Sequence, residues 1–325
     1  MMESRWDSRT TNVRTQQASD SRKLANGIVR ELIFFNTEDM SKPVAITPSD
    51  IRSVVTKEDD FGHEMRVGQL LRRVPGMRIE HGGTYTDPVT QKPRQFDYRC
   101  SLTNKTTCLT MAIECKNLSP SVPLVMCGTK RPETEAYNDL IEARNGLFKR
   151  RTATISGLSS VTRRASREYS FYPPSGFVAK SIVRIQADKN PMARTQDADI
   201  YDKWAQAISS AVGLAEMACT FPKGATPPKA VIAILPIVVV PDHLIWSVSY
   251  DDGGNIAVDP AETDACELFV GKEIELGEKK TPLFHRFTFS HVHFFSLAGF
   301  ESFLFKMTND QQAWASLFTN NAIEL

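Results

Sequence analysis

The chain has 325 residues, 41% of them hydrophobic and 24% charged, a globular composition long enough to bury one large core and incompatible with a disordered or fibrous protein. Lys and Arg total 39 against 38 Asp and Glu, so the net charge is +1 and any attraction to nucleic acid has to come from a local patch. The longest apolar run, Val231 to Val240, has 10 residues and contains Pro236, against the roughly 20 needed to span a bilayer.

Residues 1–20 are polar and Arg-bearing, with no apolar segment, and are expected to form a flexible basic tail rather than a secretory signal. An N-terminal helical segment is expected over 21–59, with helical spacing from Ser21 to Phe35 and a second start at Pro48-Ser49-Asp50. Asp60 is placed to cap a helix running to Val74, which Pro75-Gly76 stops. A strand is expected near Arg78 to Glu80, then a connection rich in Gly, Thr, Asp and Pro. Two further runs, Gln95 to Leu102 and Thr107 to Lys116, flank a turn at Thr103 to Thr106 and read as a hairpin. Pro132 to Arg150 reads as a helix, Thr152 to Arg167 as a polar basic connection, and Asp197 to Ala218 as a long amphipathic helix. Ala230 to Val240, Leu244 to Tyr250 and Phe284 to Phe295 read as strands, with a turn at Asp251 to Gly254, and Leu297 to Phe318 as a closing helix. The expected fold is α/β, a mixed central sheet flanked by helices. Its core lies over 60–220, and 221–325 pack on the same domain.

The six cysteines, at 100, 108, 115, 127, 219 and 266, form no Cys-x-x-Cys pair, so buried thiols in a reducing, cytoplasmic setting are expected. Chemistry concentrates in Phe96-Asp97-Tyr98 and Ile113-Glu114-Cys115-Lys116, with 16 residues between Asp97 and Glu114. Strand alternation sends Glu114 and Lys116 to one face and Met111, Ile113 and Cys115 to the other, which is core. The antiparallel return brings Asp97 beside Glu114. Two such carboxylates repel unless a cation intervenes, and oxygen ligands suit Mg²⁺ or Mn²⁺ rather than zinc. On the preceding helix Glu64 shares its face with Val67, Gly68 and Leu71, a third acid in a stripe that should be buried.

At these residues the chain resembles the PD-(D/E)xK nucleases, the restriction-endonuclease-like superfamily. Asp97 matches the first acid of the motif, Glu114 and Lys116 its E-x-K element, and Glu64 the frequent helical glutamate. The resemblance extends to Tyr85-Thr86-Asp87-Pro88 with Lys92 and Arg94, and to Trp204-Ala205-Gln206-Ala207, a helix over the site from which Gln206 would touch metal-bound water or phosphate. Phe96 stands where the motif has proline, and Gln95 where an acid is common; neither change removes a ligand. The resemblance implies a restriction-endonuclease-like core with a C-terminal α+β elaboration. It also implies a Mg²⁺ ion, replaceable by Mn²⁺, held by Asp97, Glu114, the Cys115 carbonyl and Glu64, with Lys116 orienting or deprotonating the attacking water.

Between Arg144 and Arg167 stand seven basic residues and no acid, and Arg150, Arg151, Arg163, Arg164 and Arg167 are the expected phosphate contacts. The alternative is a solvated surface loop. His291 and His293 share a strand face, but their aromatic neighbours favour half-buried histidines over metal ligands. His81, opening His81-Gly82-Gly83, reads as a turn where backbone could approach a substrate. No phosphate loop, nucleophile elbow or dinucleotide fingerprint occurs, so no organic cofactor is expected. The expected function is a Mg²⁺-dependent endonuclease acting on DNA in bacterial or phage defence, with a homodimer or a defence-system protein as partner. A ribonuclease using the same site, or a non-catalytic nucleic-acid-binding or assembly subunit, is the alternative.

Overall fold

The computed structural model describes residues 45–58, 60–150, 153–165, 171–186, 192–194, 198–219, 229–276 and 285–318. The chain divides into two compact units, Met1–Pro48 and Ser49–Leu325. The helix expected over Ser21 to Phe35 and the basic tail lie outside the described residues.

Helices α1 (Pro48–Glu58) and α2 (Phe61–Arg72) precede β1 (Arg78–His81). A short hairpin, β2 (Thr84–Thr86) and β3 (Pro93–Gln95), leads into a longer one, β4 (Tyr98–Asn104) and β5 (Thr107–Cys115). Next come β6 (Leu124–Lys130), β7 (Tyr137–Arg150), β8 (Ala153–Ala165), β9 (Phe177–Gln186) and β10 (Met192–Arg194). Helix α3 (Ala198–Cys219) is followed by β11 (Lys229–Val240), β12 (Ile245–Ser249), β13 (Ala261–Glu262), β14 (Ala265–Leu276) and β15 (His285–Ser296). Two helices follow, α4 (Leu297–Asn309) and α5 (Gln311–Phe318).

The result is a large mixed sheet flanked by helices. Its main path runs β1-β4-β5-β11-β15-β14-β9-β6-β12-β13. β5 and β11 are parallel and in register from Thr107↔Val231 to Cys115↔Val239, while β4 and β5 close antiparallel at Asn104↔Thr107. Strand alternation divides the core into two layers. Ala112, Ile234 and Val238 pack under α3 residues Ala207, Ile208, Ala211 and Val212. Met111, Ile113, Ile237 and Val239 pack on the other face against Val67 and Leu71 of α2 and Phe300, Phe303 and Leu304 of α4. Val67 and Leu71 are fully buried, each worth roughly 1.5–3 kcal/mol, and this fixes α2 across the sheet.

Three expectations are corrected. Pro132 to Arg150 is not a helix: a 3-10 turn at Glu133–Glu135 leads into β7, because Ile141 to Arg144 complete the ladder beside Ile232 to Lys229 of β11. A register shift between Arg144 and Leu147 falls at Asn145-Gly146, a pair that suits a bulge better than a helix interior. Thr152 to Arg167 is not a loop but mostly β8, paired along β7 from Tyr137↔Ala165 to Arg150↔Ala153. The closing helix is broken at Asp310, whose extended backbone lets its carboxylate accept from the Gln312 and Ala313 amides and start α5.

The β7–β8 pairing also gives two of the expected phosphate-binding arginines internal partners. Arg163 donates at 2.8 Å and 3.1 Å to Asp139 and stacks 4.2 Å over the Tyr137 ring, while Arg164 lies 3.5 Å from Glu142. Arg151, Arg167 and the side chain of Arg150 lie outside the described residues. Asp139 is 2% exposed and also accepts from the Thr288 amide. Arg163→Ala is expected to lower stability by about 2 kcal/mol, below the 3–5 kcal/mol of a fully buried pair because Arg163 is half exposed. Urea denaturation measures it, and an unshifted midpoint would deny the pair a structural role.

Candidate active site

The expected acids meet at one end of the sheet. β4 and β5 are paired at Tyr98↔Ile113, so Asp97, one residue before Tyr98, arrives beside the end of β5, and its Oδ2 accepts from the Cys115 amide at 2.6 Å. Glu114 has the parity of Ala112 and therefore faces α3, while Cys115 is buried in the opposite layer, as alternation predicts. Glu114 does not sit at an accessible sheet edge: it is 0% exposed, on a strand flanked by β4 and β11.

The cation facing these acids is Lys203 of α3. Its Nζ lies 3.2 Å from Asp97 Oδ2 and 3.6 Å from Glu114 Oε2. The second distance is an ion-pair contact too long for a hydrogen bond, and both Glu114 carboxylate oxygens are buried without a hydrogen-bond partner. Burial and the neighbouring Asp97 charge push the Glu114 carboxyl well above the usual range, against the pull of Lys203. Burial alone would lower the Lys203 ammonium, but Asp97 and Glu114 outweigh it and raise it to about 12. The site therefore pairs a cation whose charged form its neighbours favour with one carboxylate bonded to it and a second carboxyl that burial drives toward its neutral form.

Lys116 takes another partner. Its Nζ lies 3.2 Å from Asp60 Oδ2, and Asp60 Oδ1 accepts from the Asn117 amide at 2.7 Å. Asp60 stands at the start of α2 but makes no side-chain cap, since its carboxylate is turned to the segment after β5. Lys116 thus ties α2 to the end of β5.

Glu64 lies on the α2 side of a cleft of about 620 Å³ whose lining also includes His81, Asp97, Lys203 and Gln206. Its Oε1 is 2.6 Å from His81 Nε2, and burial and Asp97 raise its pKa while His81 opposes them. His81 ends β1 and stacks at 4.6 Å on the Tyr98 ring, whose hydroxyl donates to the Glu64 carbonyl at 3.1 Å. The space left by Gly68 is taken by that hydroxyl, which a Cβ there would strike. Gln206 reaches the same cleft from α3, one turn beyond Lys203.

Helix α3 is held over the site by Arg99, buried on β4. Its guanidinium donates to Ser210 Oγ and to the Ser210 carbonyl, both at 3.0 Å, and lies 4.5 Å from the Phe96 ring centre. A Cβ on Gly213 would come within 2.8 Å of Arg99 Nη2, so the helix approaches this closely only with glycine there. Asp87 of the β2–β3 hairpin is used structurally, accepting from the Val89 and Thr90 amides and pairing with Arg94 at 3.4 Å.

Lys203 and Arg99 are not among the expected site residues, and Asp60 is expected only as a helix cap. A signal for Lys203 exists: it precedes Ala207 and Ala211 at spacings of four, so a lysine begins the stripe that faces the sheet. The other singled-out histidines are core. His291 and His293 are buried under Tyr172, whose hydroxyl is 2.7 Å from His293 Nε2, and burial with the nearby Arg131 charge lowers them to about 2 and about 3. Among the described residues no group of three or more His, Cys, Asp and Glu side chains is placed to hold a metal ion. No described helix is long and apolar enough to cross a membrane. Compared with models of known families, with curated proteins and with solved structures, the chain matches none.

Proposed function

We propose that the chain is a metal-dependent nuclease with a restriction-endonuclease-like core, hydrolysing phosphodiester bonds in DNA, in keeping with a role in bacterial or phage defence. The observation that carries this reading is Glu114: a carboxyl with no exposed surface and two oxygens without hydrogen-bond partners, sharing the Lys203 ammonium with Asp97, which lines the cleft. A buried acid without hydrogen bonds is costly, and a divalent cation shared with the neighbouring Asp97 carboxylate is a partner that would relieve it. Asp97, Glu114 and the Cys115 carbonyl would hold Mg²⁺ or Mn²⁺; two carboxylates suffice where water and substrate phosphate complete the shell. A bound ion would acidify a water and stabilise charge on the scissile phosphate.

The chain's own residues supply the rest. Lys203, whose charged form Asp97 and Glu114 favour, is assigned the ammonium role that the resemblance gave to Lys116, and would offset phosphate charge within reach of Asp97 and Glu114. Glu64 and His81 form a hydrogen-bonded pair on the opposite wall, able to orient a water or pass a proton. Gln206 presents an amide to the same space.

The test is incubation of the protein with plasmid, linear and single-stranded DNA and with RNA, in Mg²⁺, Mn²⁺ or EDTA. Cleavage with either ion, lost in EDTA and in Asp97→Asn, is the expected result. No cleavage of any substrate would leave the second reading, a non-catalytic nucleic-acid-binding subunit, which the internal neutralisation of Asp97 by Lys203 favours.

A further inference from the structure

We propose that Lys203 gates metal entry: its ammonium holds the cation position between Asp97 and Glu114 until a substrate phosphate draws it away, so that metal and phosphate bind cooperatively. This rests on the nuclease reading and adds how the two occupants of its site depend on each other. The ammonium reaches both carboxylates, Asp97 Oδ2 at 3.2 Å and Glu114 Oε2 at 3.6 Å. A divalent ion shared by the same two carboxylates would lie close to that nitrogen. The place is recessed, with the Asp97, Glu114 and Lys203 side chains 16%, 0% and 17% exposed, so water and salt screen little of the repulsion between the two positive charges. Metal and ammonium therefore contend for one position.

The helix that carries Lys203 is pinned. Arg99 donates to the Ser210 hydroxyl and carbonyl, and the Tyr85 hydroxyl donates to the Gln206 carbonyl at 3.4 Å. What can move is the side chain, a charge on a flexible four-carbon stem, and Lys203 is itself part of the cleft lining. A displaced ammonium needs a new anion, since a charge that leaves its partner without finding another or water is costly. Lys92, exposed in the β2–β3 hairpin, and Arg94 line the same cleft and bring positive charge to an entering phosphate. Once the ammonium turns to that phosphate, Asp97 and Glu114 are left to the metal. Linkage makes the effect mutual: whatever factor phosphate adds to metal affinity, metal adds to phosphate affinity.

Mn²⁺ titrations, followed by the electron paramagnetic resonance of the free ion, test the proposal. The phosphate probe is thymidine 5′-phosphate, a monoester with no phosphodiester to cleave, and thymidine is the uncharged control. With saturating thymidine 5′-phosphate the wild-type protein should bind Mn²⁺ roughly tenfold or more tightly than with thymidine or with neither, after subtraction of the ion held by the nucleotide itself. Lys203→Met should bind Mn²⁺ without nucleotide roughly tenfold more tightly than the wild type and lose most of the coupling. A phosphate that acted only by ligating the metal would couple equally in both proteins. Lys203→Gln, which keeps a polar end against the carboxylates, repeats the comparison if the Met variant does not fold. Wild-type Mn²⁺ affinity indifferent to thymidine 5′-phosphate, or coupling of the same size in the lysine variants, would overturn the gate and leave the nuclease reading standing. Failure of every protein to bind Mn²⁺, with or without nucleotide, would instead remove the metal-dependent reading on which the gate rests.

Discussion

Lys203→Met is expected to lower the single-turnover cleavage rate by about 10²–10³-fold, the loss typical when one preorganised charge-stabilising group is removed from a phosphoryl-transfer site. Its ammonium is the cation that the structure places against Asp97 and Glu114, at 3.2 Å and 3.6 Å. The same substitution should tighten Mn²⁺ binding, because the ammonium competes with a metal ion for those carboxylates. A falling rate with rising metal affinity is what a merely structural lysine would not produce, since loss of packing would weaken both. Lys116→Met serves as the contrast. Its partner is Asp60, so it should act through the α2–β5 connection, costing about 1 kcal/mol of stability and less than about tenfold in rate. Cleavage undiminished in Lys203→Met but abolished in Lys116→Met would return the ammonium role to the E-x-K lysine.

The contrast between these two lysines shows where residue pattern stops informing. Spacing within one hairpin located Asp97 and Glu114, because antiparallel pairing and two-residue alternation are local rules that a turn at Asn104 to Thr107 leaves no room to break. The same rules put Cys115 in the opposite layer. Lys203 lies on a helix that reaches the site only because Arg99 and Gly213 set how closely α3 docks, and no spacing in the chain encodes that approach. The lysine two residues after Glu114 had a competing acid, Asp60, whose own pattern read as a helix cap. Elsewhere, long-range pairing overrode local propensity. β7 carries a pattern compatible with a helix, and only β11 and β8 on either side make it a strand. The basic segment then changed meaning with it, from a loop free to meet phosphate to a ladder in which Arg163 and Arg164 face Asp139 and Glu142.

Glu114→Gln should abolish cleavage, raise stability above neutrality and remove the response to metal. The sign follows from burial. The native Glu114 carboxyl holds its proton to a higher pH than in the unfolded chain, so above the usual value near 4.5 the native state binds more protons and stability falls as pH rises toward the native value. Glutamine carries no such penalty. The variant should therefore gain on the wild type as pH rises, and the two proteins should show the same pH dependence below about pH 4, where the wild-type carboxyl is neutral in both states. A metal ion requires the ionised carboxylate and therefore displaces that proton, so its affinity must increase with pH. In thermal melts of the wild-type protein, Mn²⁺ should raise the midpoint more at pH 8 than at pH 6, with no shift for Glu114→Gln. A wild-type midpoint indifferent to Mn²⁺ and Mg²⁺ across that range would mean that the two carboxylates answer only to Lys203, and the orphaned oxygens of Glu114 would then be a cost of the fold with no chemical return.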